Sequence, residues 1–436
     1  MNTQSNLRNV PVAGAEENNP NPLVEIKIPA IIVDHQPKSS PWISWIPCYQ
    51  RGRKLLSKNV VQAVILVSVV LVLIAICFVL GFTRVDEASQ DRAYHLALVQ
   101  RINRGNLTWQ AILNPFASRG DTRPYPSSIY GQAQQQWASP RLNDHVVEDT
   151  MEHVAQLDKI PDSAIPSHFD ARLRWPQCST IHDVPNQGAC GSCWAISAAA
   201  VMSDRICIHS NGTFQPQIST QNIINCCKDC EGCSGGWSIH AFEYWKLHGV
   251  VTGGGHGTLE GCHPYTYTTV CGVPCSKAVY ERQEAKPKCV EKCQNLYYQR
   301  TYEEDKFFAS NVYVIIPASM VSVRGKSGKD KAKSLLRKEL MTNGPVAVCM
   351  TAAEDLQHYK TGVYHSVFAD SYYGIVPENR LYGHCVKLIG WGKTTEGVPF
   401  WLAANSWGRD WGEFGFYRFL QDDLPDEATA GIPAAK

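Results

Sequence analysis

A cysteine, a histidine, an asparagine and a glutamine stand in surroundings that suit nucleophilic chemistry. Cys193 lies in Asn186-Gln-Gly-Ala-Cys-Gly-Ser-Cys193-Trp194-Ala-Ile-Ser-Ala-Ala-Ala, where a glycine-rich turn runs into an alanine-rich stretch of high helix propensity. That pattern predicts a helix beginning at Cys193, where unbonded N–H groups and the helix dipole favour a thiolate over a thiol. The thiol still needs a proton acceptor. His384 sits in Tyr382-Gly-His-Cys-Val-Lys-Leu-Ile-Gly-Trp-Gly, an apolar strand pattern, and Asn405 follows in Trp401-Leu-Ala-Ala-Asn-Ser-Trp407. In such a set the imidazole takes the thiol proton, the Asn405 amide orients the ring, and the Trp407 indole shields that contact from water. Gln187, with the backbone N–H of Cys193, supplies donors for the oxygen that turns negative when a peptide carbonyl is attacked. This chemistry requires no cofactor.

Competing readings exist for each residue. Cys193 also fits half of a disulfide, or a dithiol redox motif with Cys190, but no thioredoxin-like βαβ context accompanies it. His384 alone reads as a satisfied core histidine and Asn405 alone as a turn residue; the conjunction with Cys193 raises both. Cys226, Cys227, Cys230 and Cys233 resemble a zinc-ligand run, yet no histidine pair stands at finger spacing.

The compartment follows from the cysteines. Of seventeen, fifteen lie between Cys178 and Cys385, a density expected of a disulfide framework in an oxidising space. The export device is the 23-residue run from Val60 to Phe82, which contains no charge. Because 59 residues precede it, a signal-anchor fits better than a cleavable signal peptide. Arg51, Arg53, Lys54 and Lys58 flank it on one side, while Arg84 and Arg92 on the other are diluted by Asp86, Glu87 and Asp91. The N-terminus is therefore expected in the cytosol and everything beyond residue 83 in a lumen or outside the cell, as in a type II membrane protein. Asn106-Leu-Thr and Asn211-Gly-Thr are glycan acceptor sequons usable only on that side.

The elements that must position the site fall into four stretches. Residues 1–58 are rich in Pro, Asn and Ser and read as a disordered cytosolic tail. Residues 59–83 form the membrane anchor. Residues 84–164 lack cysteine, with a helix expected around His95 to Ile112 and loops from Asn114 to Pro140. Residues 165–436 carry the cysteines and are long enough for one large domain or two lobes. With 436 residues, the chain exceeds one ordinary domain. Forty-one Lys plus Arg against forty Asp plus Glu disfavour a nucleic-acid partner.

Through Cys190-Gly-Ser-Cys-Trp194 the sequence resembles the papain family of cysteine peptidases. Trp175-Pro-Gln-Cys178, Asp204-Arg-Ile-Cys-Ile-His209, Gly261-Cys-His-Pro-Tyr265 and Ala430-Gly-Ile-Pro433 are similar to its cathepsin B branch. The resemblance covers residues 88–436. It implies a papain-like α+β fold of two lobes, a helical one carrying Cys193 and a β-rich one carrying His384, with a polypeptide substrate in the cleft between them. It also implies an inhibitory propeptide, marked by Asn106-Leu-Thr-Trp-Gln-Ala111, and a monomer after processing. Six disulfides follow from the likeness: Cys178–Cys207, Cys190–Cys233, Cys226–Cys289, Cys227–Cys230, Cys262–Cys293 and Cys271–Cys275. Cys349 and Cys385 then remain, read as two buried thiols in preference to a seventh bond. Both resemble wall positions of the S2 pocket, together with Gly235, Gly236 and Trp237, and Glu427 resembles the acid at its floor. The branch's histidine-bearing loop is reduced here to Cys271-Gly-Val-Pro-Cys275, and Asn186 replaces the Asp that latches it. Internal cleavage with little removal of C-terminal dipeptides is therefore expected. The rival from another class is a non-catalytic peptide-binding or adhesion ectodomain that keeps the fold.

Overall fold

The computed structural model describes residues 58–114, 142–270, 287–316, 326–368 and 381–435. Residues 1–69 and 70–436 form two compact units, and of the first only the start of helix α1 is described. α1 spans Lys58–Arg104 as one helix. Val64, Leu66, Leu71 and Leu73 on it are more than half exposed. Among the described residues no helix is long and apolar enough to cross a membrane.

The second unit alternates short helices with the strands of one mixed sheet. Its elements in chain order are β1 (Trp109–Ala111), α2 (Asp144–Asp158), β2 (Phe169–Asp170), α3 (Ala171–Arg174), α4 (Cys193–His209), α5 (Thr220–Cys226), α6 (Ser238–His248), α7 (Tyr302–Asp305), β3 (Ala309–Ile316), α8 (Lys326–Asn343), β4 (Val346–Ala353), β5 (Tyr359–Tyr364), β6 (Leu381–Lys393), β7 (Pro399–Ala404), β8 (Phe416–Leu420) and β9 (Glu427–Pro433). The strand order is β1-β5-β8-β7-β6-β4-β9-β3, with β2 paired to β6. All pairs are antiparallel except β5 with β8.

The helix expected to run from His95 to Ile112 instead ends at Arg104. Gly105 closes it by donating its N–H to the carbonyls of Arg101 and Ile102. Trp109–Ala111 then forms β1, because pairing with β5 outweighs local helix propensity. The expected loop from Asn114 to Pro140 falls almost entirely outside the described residues.

Strand alternation builds the core. On β6, Val386 and Leu388 join an apolar cluster with Trp401, Tyr417 and Phe419, whereas Cys385 faces a second cluster around α4 and α6. Gly390 is required where β2 crosses: a Cβ there would lie 2.2 Å from the Phe169 carbonyl oxygen. Helix α4 is central. Fourteen of its seventeen residues are buried, a pattern that only a helix rich in alanine and other small or apolar residues sustains when surrounded on every side. Helices surround Cys193 and strands surround His384 within the one unit, an α+β arrangement.

Candidate active site

Cys193 is the first residue of α4, buried and outside every disulfide. Gly191 and Ser192 precede the helix, which leaves the N–H groups of its first turn without intrahelical partners at the end where Cys193 stands. His384 enters from β6, with no exposed surface. Its Nε2 lies 2.7 Å from Asn405 Oδ1, and the Trp407 ring stacks on the imidazole at 4.8 Å.

The hydrogen-bond network assigns the tautomer. Asn405 Oδ1 also accepts the Ser406 backbone N–H at 2.8 Å, which orients the amide with its oxygen toward the imidazole. Nε2 must therefore donate, leaving Nδ1 as the basic nitrogen. Burial pushes the His384 pKa down to about 4, opposed by the Asn405 hydrogen bond, so the ring is a neutral proton acceptor at higher pH.

Gln187 is held from four directions. Its backbone N–H donates to the Ser406 carbonyl at 2.8 Å, and its own carbonyl accepts the Tyr265 hydroxyl at 2.7 Å. Its side-chain Oε1 accepts from Ser406 Oγ at 2.7 Å, while Nε2 donates one hydrogen to the Cys190 carbonyl at 3.1 Å. The second amide hydrogen is then available for an oxyanion. Asn186, beside it, bridges to Trp407. Ser406 and Tyr265 were not singled out from sequence. Ser406 ties the Asn405 and Gln187 arms together, and Tyr265 also approaches Ser192 Oγ at 2.9 Å.

Of the residues expected at the pocket, Cys349, Cys385 and Glu427 come together on the sheet. Gly235 takes a φ of 123°, and a Cβ on Gly236 would lie 2.6 Å from the Trp194 ring. Half-buried Trp237 precedes α6 as its N-cap residue. Ser238 Oγ donates to the Trp194 carbonyl at 3.0 Å and lies 3.3 Å from Cys349 Sγ. On the sheet, Cys349 of β4 stands opposite Cys385 on one side and buried Glu427 of β9 on the other.

Five of the six disulfides expected from the likeness are present: Cys178–Cys207, Cys190–Cys233, Cys226–Cys289, Cys227–Cys230 and Cys262–Cys293. The run Cys226–Cys233 is thereby used up in sulfur–sulfur bonds rather than metal ligation. Cys271–Cys275 lies outside the described residues. The reading of Cys349 and Cys385 as separate thiols is corrected: they form a disulfide. The antiparallel register sets them directly across from one another with Cα atoms 4.0 Å apart, close enough to join without moving either strand. Asn106 and Asn211 are both exposed.

Residues 165–432 match the papain family cysteine protease profile. The chain belongs to that family. Among its relatives, cathepsin B-like cysteine proteinase 5 of Caenorhabditis elegans is 40% identical over 284 residues, covering 62% of this chain and 75% of the relative. The cathepsin B-like cysteine proteinase of Schistosoma japonicum is 36% identical over 279 residues, covering 62% and 73%. Among solved structures, procathepsin B S9 from Trypanosoma congolense superimposes with a TM-score of 0.55 at 26% identity, covering 78% of this chain and 98% of its own. The ragweed allergen Amb a 11 in its proform shares the fold at a TM-score of 0.52, 20% identity and coverages of 80% and 89%. The papain-family match contains Gln187, Cys193, His384 and Asn405, and the likeness to the procathepsin B structure indicates a propeptide ahead of the protease domain.

Proposed function

We propose that this papain-family protease is a cathepsin B-like endopeptidase working through an acyl-enzyme on Cys193. His384 Nδ1 takes the thiol proton as sulfur attacks the peptide carbonyl carbon. The resulting oxyanion is received by the Gln187 side-chain amide and the Cys193 N–H. The protonated imidazole passes its proton to the departing amine, and water then releases the acyl group by the reverse sequence. The observation that carries this reading is the 2.7 Å contact from His384 Nε2 to Asn405 Oδ1, with Ser406 orienting the amide, since it leaves the other imidazole nitrogen basic. Treating the processed protein with an irreversible thiol-peptidase inhibitor should modify Cys193 and abolish hydrolysis. A folded protein with no label and no turnover would point instead to a non-catalytic peptide-binding ectodomain.

The same proposal takes the chain to be a zymogen. Two observations support docking of the segment after residue 84 on the protease domain, and a third concerns the segment's own shape. Leu98, Val99 and Ile102 of α1 share an apolar cluster with Leu356 and Tyr359. β1 extends the sheet at β5, and Trp109 Nε1 donates to the His365 carbonyl at 2.9 Å. Asn103 Nδ2 and Oδ1 clasp the carbonyl and N–H of Ala111, each at 2.8 Å. Anchoring through residues 60–82 rests on the uncharged run inside α1 and its basic N-terminal flank. The disulfides support a lumenal or extracellular site of action, in a lysosome-like compartment or after secretion as a monomer.

A further inference from the structure

Two adjacent residues of opposite charge, Asp204 and Arg205, lie in the fourth turn of α4 with no exposed surface. About 100° apart on the helix, they reach different neighbours. Asp204 Oδ2 pairs with Lys387 Nζ at 2.9 Å, and Lys387 also donates to the carbonyls of Thr180 at 3.1 Å and Ile181 at 3.4 Å. Lys387 lies on β6, three residues beyond His384. Arg205 Nη2 pairs with Glu339 of α8 at 2.7 Å. The rest of the Arg205 guanidinium donates to the carbonyls of Pro345 at 2.8 Å, Gly344 at 3.2 Å and Gly431 at 3.2 Å, and to the Tyr313 hydroxyl at 2.8 Å. Gly344 and Pro345 lead into β4, and Gly431 belongs to β9. The helix that starts with Cys193 is thus tied to the strand of His384, to the turn that leads into the neighbouring β4, and to β9 beyond it.

A buried ion pair gains little net stability over apolar residues of the same shape, so such pairs are poor explanations of folding strength. What they supply is selectivity among arrangements. The faces of α4 are rich in alanine, with Ala195, Ala198 and Ala199 all buried. Side chains this small define little register of their own, so depth and rotation rest on the longer side chains and on the Cys178–Cys207 bond near the far end of the helix. The two charges are the most exacting of these. A slide by one residue, about 1.5 Å, would leave both in the interior without their partners.

We propose that Asp204 and Arg205 are positioning residues for peptide hydrolysis, holding α4 at one depth and one rotation against β6, β4 and β9 so that Cys193 meets His384. The proposal rests on the Cys193–His384 reading above. Activity and inhibitor labelling of the processed wild-type protein test that reading first and separately.

The test compares variants of the full-length chain after processing. Asp204→Leu with Lys387→Met removes both charges and keeps the side-chain outlines. It should melt within a few degrees of the wild type, yet have kcat reduced at least tenfold with KM within about twofold. Alkylation of Cys193 by iodoacetamide should then need a higher pH, moving toward an ordinary thiol near 8.5. Arg205→Lys keeps the charge and folding but loses the planar fork that serves several carbonyls at once, and should lower kcat several-fold with KM unchanged. A folded double variant with wild-type kcat and an unshifted alkylation profile would overturn the proposal. If the double variant does not fold, unchanged kcat in Arg205→Lys overturns it equally.

Discussion

Ser406 Oγ donates to Gln187 Oε1 at 2.7 Å, while the Ser406 backbone N–H donates to Asn405 Oδ1 at 2.8 Å. One serine therefore orients both the amide facing the imidazole and the amide offered to the oxyanion. Replacing Ser406 by Ala removes only the Gln187 bond, because the Asn405 contact uses the main chain. We expect kcat to fall roughly tenfold with little change in KM, less than the hundredfold or more typical of deleting an oxyanion donor outright, as in Gln187→Ala. Steady-state kinetics on one peptide substrate check both values, and a Ser406→Ala effect as large as that of Gln187→Ala would refute the division of labour.

A second expectation concerns pH and the zymogen. His358 Nε2 lies 3.0 Å from His95 Nδ1 where α1 meets the protease domain, and both rings are buried. Burial, with His95 adding to it, pushes the His358 pKa down from 6.5 to about 3. A group depressed in the folded state contributes stability above its ordinary value and loses it as pH falls, because the uncovered imidazole takes up a proton that the packed one refuses. The contact should therefore weaken progressively from about pH 6.5 toward pH 3. Asp355, close by, works the other way: burial raises its pKa to about 6, so its protonation as pH falls from about 6 toward 4 adds stability. Melting of the zymogen across this range should show a smaller acid loss for His358→Gln than for the wild type, and equal losses would exclude His358 as a contributor.

The third expectation is covalent. Digestion without reduction should recover Cys349 joined to Cys385, and Cys193 as an alkylatable thiol. Closing a loop of 36 residues typically stabilises by about 3 to 4 kcal/mol, so Cys349→Ala with Cys385→Ala should lower the melting temperature measurably. Finding both as thiols in the native protein would return them to the reading first made from sequence.

How far that reading reached depends on what local pattern can carry. Cys193 at a helix start and His384 within a strand were visible because the glycine-to-alanine transition and the apolar alternation are written over consecutive residues. The end of α1 was not, since Trp109–Ala111 becomes a strand only through β5, some 250 residues later. Cys349 and Cys385 each sit in an apolar run, but their opposition is a matter of strand register, which neither run states alone. Ser406 was in view within Asn-Ser-Trp, yet its partner Gln187 is remote in sequence. The ion pairs of Asp204 and Arg205 were hidden for the same reason, although two charges inside an alanine-rich helix are a signal that each requires a buried partner.

The fourth expectation follows from the stretch Cys271–Cys275, which contains no histidine. Without a cationic group there, nothing in that stretch would pair with a substrate's terminal carboxylate. Peptides blocked at the C-terminus should be cleaved internally about as well as free ones. Rapid release of C-terminal dipeptides, with little internal cleavage of the same peptide, would contradict this.

The last expectation concerns Glu427, opposite Cys349 in the ladder between β4 and β9 and only 3% exposed. The Cys349–Cys385 bond lies next to it, and Ser238 Oγ at the start of α6 lies 3.3 Å from Cys349 Sγ. On the proposed reading, a long side chain entering along this surface would meet the Glu427 carboxylate at its end. For an Arg at substrate position P2, a charge-assisted hydrogen bond to Glu427 would offset the cost of desolvating both groups, whereas a Phe would gain only from apolar contact. Glu427→Ala should therefore lower kcat/KM for P2 Arg substrates by one to two orders of magnitude, equivalent to about 1.4 to 2.8 kcal/mol, and leave P2 Phe substrates nearly unchanged. The ratio of the two rates is the informative quantity, because a general distortion of β9 would depress both together. An equal loss for both substrates would show that Glu427 supports the strand and does not select the side chain.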